Sequence, residues 1–205
     1  DEVLIEISAC GMNNTDVWVR EGAYGTDDDP DATASWRRGH RSTLEFPRIQ
    51  GTDTVGHIAA VGARVDSKRI GERVLVDFSI YNTETDSLVD IDYIGHGRNG
   101  GYAEYITVPA ENAFPIQSTM TDTELATFCC AYMTAEQMLD RARVAEGELT
   151  LVTGASGGVG SALVQLCKAR GAHPIAITSK LKYEAVSTLA PEAIVVRDNG
   201  RLIEA

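Results

Sequence analysis

The sequence predicts an α/β protein in two parts: a β-rich, barrel-like part over residues 1–120, then the opening of a doubly wound parallel sheet over residues 121–205. Two observations predict it. Short alternating apolar runs separated by glycine turns fill the first part, the pattern of a half-buried antiparallel sheet. After residue 120, apolar runs alternate with helical patterns, as in βαβ units.

Val3, Ile5 and Ile7 alternate and put one face of a strand toward a core. A turn over Cys10–Asn14 follows, and Asn14 or Thr15 is expected to cap a short helix over 16–20. Residues 21–45 are polar, with an acidic run at 27–29 and a basic cluster of Arg37, Arg38, His40 and Arg41. A loop that long is usually functional or mobile, so it is a candidate lid; a solvated insertion with mutually paired charges is the competing reading. Strands are expected over 55–61, 73–76 and 102–108, with 81–101 a loop. Thr121 or Asp122, with Glu124, reads as a helix cap before a helical stretch over 123–144 in two pieces. Strand 149–153, helix 158–170, strand 174–178, helix 181–189 and strand 193–196 complete the chain.

The net charge of −12 argues against non-specific nucleic-acid binding, because phosphates would be repelled. It does not bear on a nucleotide held locally by backbone N–H groups. The four cysteines, Cys10, Cys129, Cys130 and Cys167, make no C-x-x-C pair, so reduced thiols in a cytoplasmic protein are expected. No apolar run approaches the ~18 residues of a membrane span, and no signal-peptide pattern is visible.

The most informative stretch runs from the apolar strand at Leu149–Val152 through Ala155-Ser156-Gly157-Gly158-Val159-Gly160 into an amphipathic helix. A glycine turn in that context presents backbone N–H groups and a helix N-terminus to a pyrophosphate. Ser156, Gly157, Gly158, Val159 and Gly160 are therefore candidate cofactor-binding residues, although Ala155 replaces the first glycine of the usual pattern. The bland alternative is a turn that needs glycine for geometry only. An acid about 20 residues further on would hold a ribose 2′-OH. Here Thr178-Ser179-Lys180-Leu181-Lys182 stands instead, which suits a 2′-phosphate. Ser179 and Lys182 are the candidates for it, and the expected cofactor is NADPH. The alternative is a helix cap at Ser179 with exposed lysines. A dinucleotide sheet usually has about six strands in two halves. The chain is therefore expected to continue beyond Ala205, and a first strand is expected to be missing ahead of residue 1.

Thr153-Gly154-Ala155-Ser156-Gly157-Gly158-Val159-Gly160 also resembles the short-chain dehydrogenase motif, but that motif sits near a chain start and here a β-rich part precedes it. The whole chain resembles the medium-chain dehydrogenase/reductase superfamily instead. The resemblance rests on Cys10-Gly11-Met12-Asn13-Asn14-Thr15-Asp16, Gly51-Thr52-Asp53-Thr54-Val55-Gly56, Gly71-Glu72-Arg73-Val74, Gly100-Gly101-Tyr102-Ala103-Glu104-Tyr105 and Cys130-Ala131-Tyr132-Met133-Thr134-Ala135, in that order. It implies a GroES-like substrate domain, then a Rossmann domain cut short after its third strand, with the active site in the cleft between them. It also implies assembly of the full-length protein as a homodimer or homotetramer, and a small-molecule substrate.

In the zinc branch of that superfamily, a cysteine would stand at Asn13 and His-Glu at Thr52-Asp53, leaving only Cys130 on a ligand-like position. An amide, a hydroxyl and one thiol do not make a zinc site, so no metal is expected. Cys130 is better read as a small buried apolar residue. Asn13 and Asp53 instead resemble the zinc-independent quinone oxidoreductase branch. Its implied chemistry is hydride transfer from NADPH to a quinone, an enone or a related carbonyl compound. Asn13, through its NH₂, and Thr15, through its hydroxyl, are the candidate catalytic residues that would stabilise and protonate the substrate oxygen. Thr134 is expected to help position the nicotinamide. His40 and His57 are further possible proton donors, His57 being better read as structural. Two alternatives are a nucleotide-binding sensor or structural protein without turnover, and a zinc alcohol dehydrogenase with atypical ligands such as His40.

Overall fold

The computed structural model describes residues 1–24, 44–81, 91–198 and 201–202. Residues 25–43, hence His40 and most of the candidate lid, lie outside the described residues. The chain divides into two compact units, Asp1–Cys129 and Cys130–Ala205.

In the first unit, β1 (Glu2–Gly11) is the centre of the organisation. It pairs antiparallel with β2 (Asp53–Val61) on one side and with β6 (Tyr105–Pro109) on the other. The sheet continues through β3 (Arg73–Val76) to β7 (Ala113–Pro115), giving the order β6-β1-β2-β3-β7. Val3 and Ile5 of β1 pack with Ile58, Val74, Val76, Ile106 and Val108, which is the face that the alternation predicts. β4 (Ser79–Tyr81) and β5 (Ile91–Tyr93) form a separate antiparallel pair. β5 lies inside the stretch expected to be a loop, and β7 has no counterpart among the expected strands; three residues are too few for a period to show.

The strand expected from 102 begins at Tyr105. Residues 100–102 are spent on another partner: Gly100 N–H donates to Ile49 O, Gly101 N–H to Gly51 O and Tyr102 N–H to Gln50 O. The first helix, α1 (Asn14–Arg20), is capped by Asn13, one or two residues earlier than the sequence suggests. Thr121 caps α2 (Asp122–Leu125) in a capping box with Glu124, as the sequence predicts. α2 packs on β1 and β2, and the first compact unit runs to Cys129.

The second unit opens in α3 (Cys129–Ala142), which straddles the boundary. Then come β8 (Leu149–Val152), α4 (Gly158–Ala169), β9 (His173–Ser179), α5 (Tyr183–Ser187), β10 (Ala193–Asp198) and β11 (Arg201–Leu202). β8, β9 and β10 are parallel, the doubly wound start that the sequence predicts. Two details differ. The helix expected over 181–189 is a 3₁₀ turn, Lys180–Lys182, followed by α5. A fourth strand, β11, joins β10 antiparallel. Ala135, Leu139, Val152, Ala162, Val164, Cys167 and Ala176 form the core. On the sheet's other face Leu149 and Leu151 of the edge strand β8 remain 70% and 61% exposed. Among the described residues, no helix is long and apolar enough to cross a membrane.

Candidate active site

Asp16 holds the first unit's site together. It is the third residue of α1 and only 7% exposed. Its Oδ2 accepts from the Asn13 backbone N–H (2.8 Å) and from the Tyr102 hydroxyl (3.0 Å), while Oδ1 accepts from the Gly51 N–H (3.2 Å). The Gln50 side-chain amide donates to the Asp16 carbonyl (2.7 Å). One buried carboxylate therefore joins the turn after β1, the segment before β2 and the segment before β6. Gly51 makes that junction possible. Its φ is +105°, and a Cβ there would meet Cys10 Sγ and Tyr102 Cδ1, each at 2.8 Å.

Asn13 stands at this junction, half-buried. Its Nδ2 donates to Asp53 Oδ2 (2.8 Å) and, at longer range, to Thr52 Oγ1 (3.5 Å). Asp53 is 2% exposed at the start of β2. The three residues at the positions that the resemblance marks as ligand-like are thus tied to one another. Thr15, also half-buried, shares a hydrogen bond with Tyr24 (Oγ1 to OH, 2.9 Å). The Tyr24 ring meets Trp18 and His96 edge-on, with centroids 6.1 and 5.6 Å apart. His57 is exposed on β2, against the Ser8 hydroxyl at 3.3 Å. Among the described residues, no group of three or more His, Cys, Asp and Glu is placed to hold a metal ion.

Sequence reasoning missed Asp16, Tyr24 and Tyr102. Only Asp16 left a local signal: an acid three residues after a capping Asn is a capping-box pattern. The two tyrosines come from distant segments.

Two thiols border this site. Burial pushes Cys10 up from the usual thiol value of 9.0 to about 12, against the hydrogen bond from Thr54 and with the help of Asp16 and Asp53. Burial likewise pushes Cys129 up to about 12. The Tyr102 phenol is raised by burial and by its hydrogen bond to Asp16. Raised values mean that the folded state keeps protons that the unfolded state loses. The stabilisation is complete below pH 9.0 and is lost as pH rises through about 12. We expect urea midpoints to fall between pH 9 and 11, and to fall less steeply in a Cys10→Ala/Cys129→Ala variant. Parallel slopes would refute this.

In the second unit the strand-turn-helix is formed as predicted. Gly157 is the N-cap of α4, and Gly158, Val159 and Gly160 are its first three residues. The N–H groups of a first helical turn have no intrahelical acceptor. Ser156, Gly157 and Gly158 are exposed. A Cβ on Gly160 would lie 2.1 Å from Gly154 O, so the fold itself requires that glycine. A Cβ on Gly157 would meet nothing closer than 3.4 Å, and one on Gly158 nothing closer than 3.6 Å. The fold does not require glycine at those two positions, whereas a ligand approaching the backbone would. The Thr178 hydroxyl, at the carboxyl end of β9, is buried and makes no hydrogen bond among the described residues. Two adjacent exposed positions without Cβ atoms, Gly157 and Gly158, together with an orphaned hydroxyl on the neighbouring strand fit a nucleotide. Ser179 stands at the N-cap position of the 3₁₀ turn that carries Lys180 and Lys182, both exposed, and its side chain makes no capping hydrogen bond. Thr134 is half-buried on α3, and Cys130 is half-buried beside the fully buried Cys129.

Residues 1–118 match the alcohol dehydrogenase GroES-like domain. The chain belongs to the medium-chain dehydrogenase/reductase superfamily. It is 30% identical to the quinone oxidoreductase of Mus musculus, over 83% of the chain and 41% of that protein. It is 31% identical to D-arabinitol dehydrogenase 1 of Uromyces fabae, over 87% of the chain and 48% of that protein. A solved protein of Sinorhizobium meliloti 1021, classed provisionally with alcohol dehydrogenases, is 67% identical with a TM-score of 0.86, covering 97% of this chain and 55% of that one. A cobalt- and zinc-bound alcohol dehydrogenase of Pyrobaculum aerophilum is 28% identical with a TM-score of 0.76, covering 94% and 56%. The chain spans less than half the length of these two curated relatives.

Proposed function

We propose that the protein is a zinc-independent, NADPH-dependent reductase of a quinone, an enone or a related small carbonyl compound. The observation that carries the reading is the Asn13–Asp53 hydrogen bond of 2.8 Å, with Thr52 beside it. A catalytic zinc would need three strong donors there. An amide nitrogen already donating to a carboxylate, together with a neutral hydroxyl, does not supply them. The residues can instead position hydrogen bonds to a carbonyl oxygen.

Bound NADPH would supply a hydride from its nicotinamide to an electron-poor carbon. Gly157, Gly158, Val159 and Gly160 would hold its pyrophosphate on the N–H groups of the first turn of α4, with Ser156 beside them. Thr178 would offer its buried hydroxyl, Ser179 and Lys182 would hold the 2′-phosphate, and Thr134 would help position the nicotinamide. The Asn13 amide, held by Asp53, would orient polar groups toward the substrate oxygen. Thr15 and Tyr24 share a hydroxyl–hydroxyl hydrogen bond through which a proton can be delivered to that oxygen. We place it in the cytoplasm, where its four free thiols, on Cys10, Cys129, Cys130 and Cys167, would stay reduced. We further propose a homodimer or homotetramer.

The test is NADPH oxidation by the intact protein with a panel of quinones and enones. We expect turnover unaffected by a zinc chelator, and a fall of about 100-fold in kcat for a Thr15→Val/Tyr24→Phe variant. One stoichiometric zinc whose removal stops turnover would overturn the metal-free reading. Tight NADPH binding without turnover across the panel would favour a sensor.

A further inference from the structure

We propose that Arg197 on β10 is a further cation of the 2′-phosphate site, beside Lys182, and that it selects the phosphorylated nucleotide by a two-pronged hydrogen bond. The proposal rests on the NADPH reading of the turn at Ser179–Lys182. It comes from strand register, because Arg197 lies 18 residues beyond Ser179 in the chain. β9 and β10 run parallel with Arg197 directly opposite Ser179, the last pair of their ladder. Paired residues on neighbouring strands lie about 4.8 Å apart and send their side chains to the same face. Arg197 therefore flanks the residue from which the 3₁₀ turn carrying Lys180 and Lys182 departs.

The charges of this cluster are uncommitted. Arg197, Lys180 and Lys182 are exposed, and none makes an ion pair or side-chain hydrogen bond among the described residues. Elsewhere Arg69 holds Glu72, Arg73 holds Asp122, Arg98 holds Asp92, and Arg170 holds Glu136 and Asp140. In a chain of net charge −12, three cations without a partner among the described residues stand at or just beyond the carboxyl ends of two parallel strands. That is where open α/β sheets take their ligands. The ligand they suit is a phosphate monoester dianion. Lysines meet it as mobile point charges, whereas a guanidinium can engage two of its oxygens at once in fixed geometry. Arg197 is therefore expected to contribute more to discrimination than either lysine.

The test titrates the intact protein and its Arg197→Gln and Arg197→Lys variants with adenosine 2′,5′-bisphosphate and with adenosine 5′-monophosphate, alongside a thermal melt. In the wild type we expect the bisphosphate to bind more tightly. Arg197→Gln should weaken bisphosphate binding by about 10-fold or more, while monophosphate affinity stays within about twofold and the melting temperature is unchanged. Arg197→Lys should recover part of the loss. A wild type that binds the two probes equally would overturn the NADPH reading itself. A wild type that prefers the bisphosphate, with Arg197→Gln keeping that preference, would overturn the role of Arg197 alone. Equal losses for both probes would also overturn it, since they would mark Arg197 as merely structural.

Discussion

Gly160→Val is expected to abolish nucleotide binding and to lower stability by several kcal/mol, whereas Gly158→Ala is expected to fold normally and still bind poorly. The two glycines lie in one turn of one helix, and their surroundings separate them. A Cβ on Gly160 would lie 2.1 Å from Gly154 O, 2.7 Å from Gly154 C and 2.8 Å from Ala155 Cα. All three are backbone atoms of the turn, so no side chain can swing aside, and the cost exceeds the ~1–3 kcal/mol typical of overpacking. A Cβ on Gly158 would meet only Ala131 Cβ, at 3.6 Å. Replacing glycine by alanine in a helix should raise stability slightly, by ~0.5–1 kcal/mol. A pyrophosphate drawn onto the backbone would nevertheless meet the added methyl, and we expect NADPH affinity to fall by about 10-fold. Melting curves and NADPH fluorescence titrations on both variants provide the check. Unchanged NADPH affinity in Gly158→Ala would show that the nucleotide does not approach the turn.

Asp16→Ala is expected to cost ~3–5 kcal/mol, from several buried donors left unsatisfied at about 1–3 kcal/mol each, and to abolish turnover without touching a reacting atom. The carboxylate accepts from two backbone N–H groups, on Asn13 and Gly51, and from the Tyr102 hydroxyl. Removing it leaves buried donors without an acceptor, which costs more than the net value of the bonds themselves. Asp16→Asn keeps the size but turns an NH₂ toward one set of those donors, so it should be intermediate. Tyr102→Phe removes the hydroxyl that Asp16 and the Gly11 carbonyl share and should cost ~1 kcal/mol. Urea unfolding should rank the variants in that order, Asp16→Ala the least stable. Equal losses in Asp16→Ala and Tyr102→Phe would show that Asp16 does not organise the junction.

Some of this was legible before folding, for a local reason. The alternation of Val3, Ile5 and Ile7, the Thr121–Glu124 capping box and the strand-turn-helix at Leu149–Ala169 are set by near neighbours in the chain. So is the lack of an acid at Ser179, which is visible in the sequence alone. Elements of three residues, such as β4, β5 and β7, are too short to carry a period and form because a partner strand is already present.

By itself the sequence determined the α/β order, the glycine turn and the residue types at the candidate sites. The tertiary structure decided what those residues touch. It joined Asn13 to Asp53 across 40 positions, joined Asp16 to Tyr102 across 86, and set Arg197 opposite Ser179. Each of these pairings closes a loop whose ends carry no mark of one another, and only the register of the packed strands brings them together.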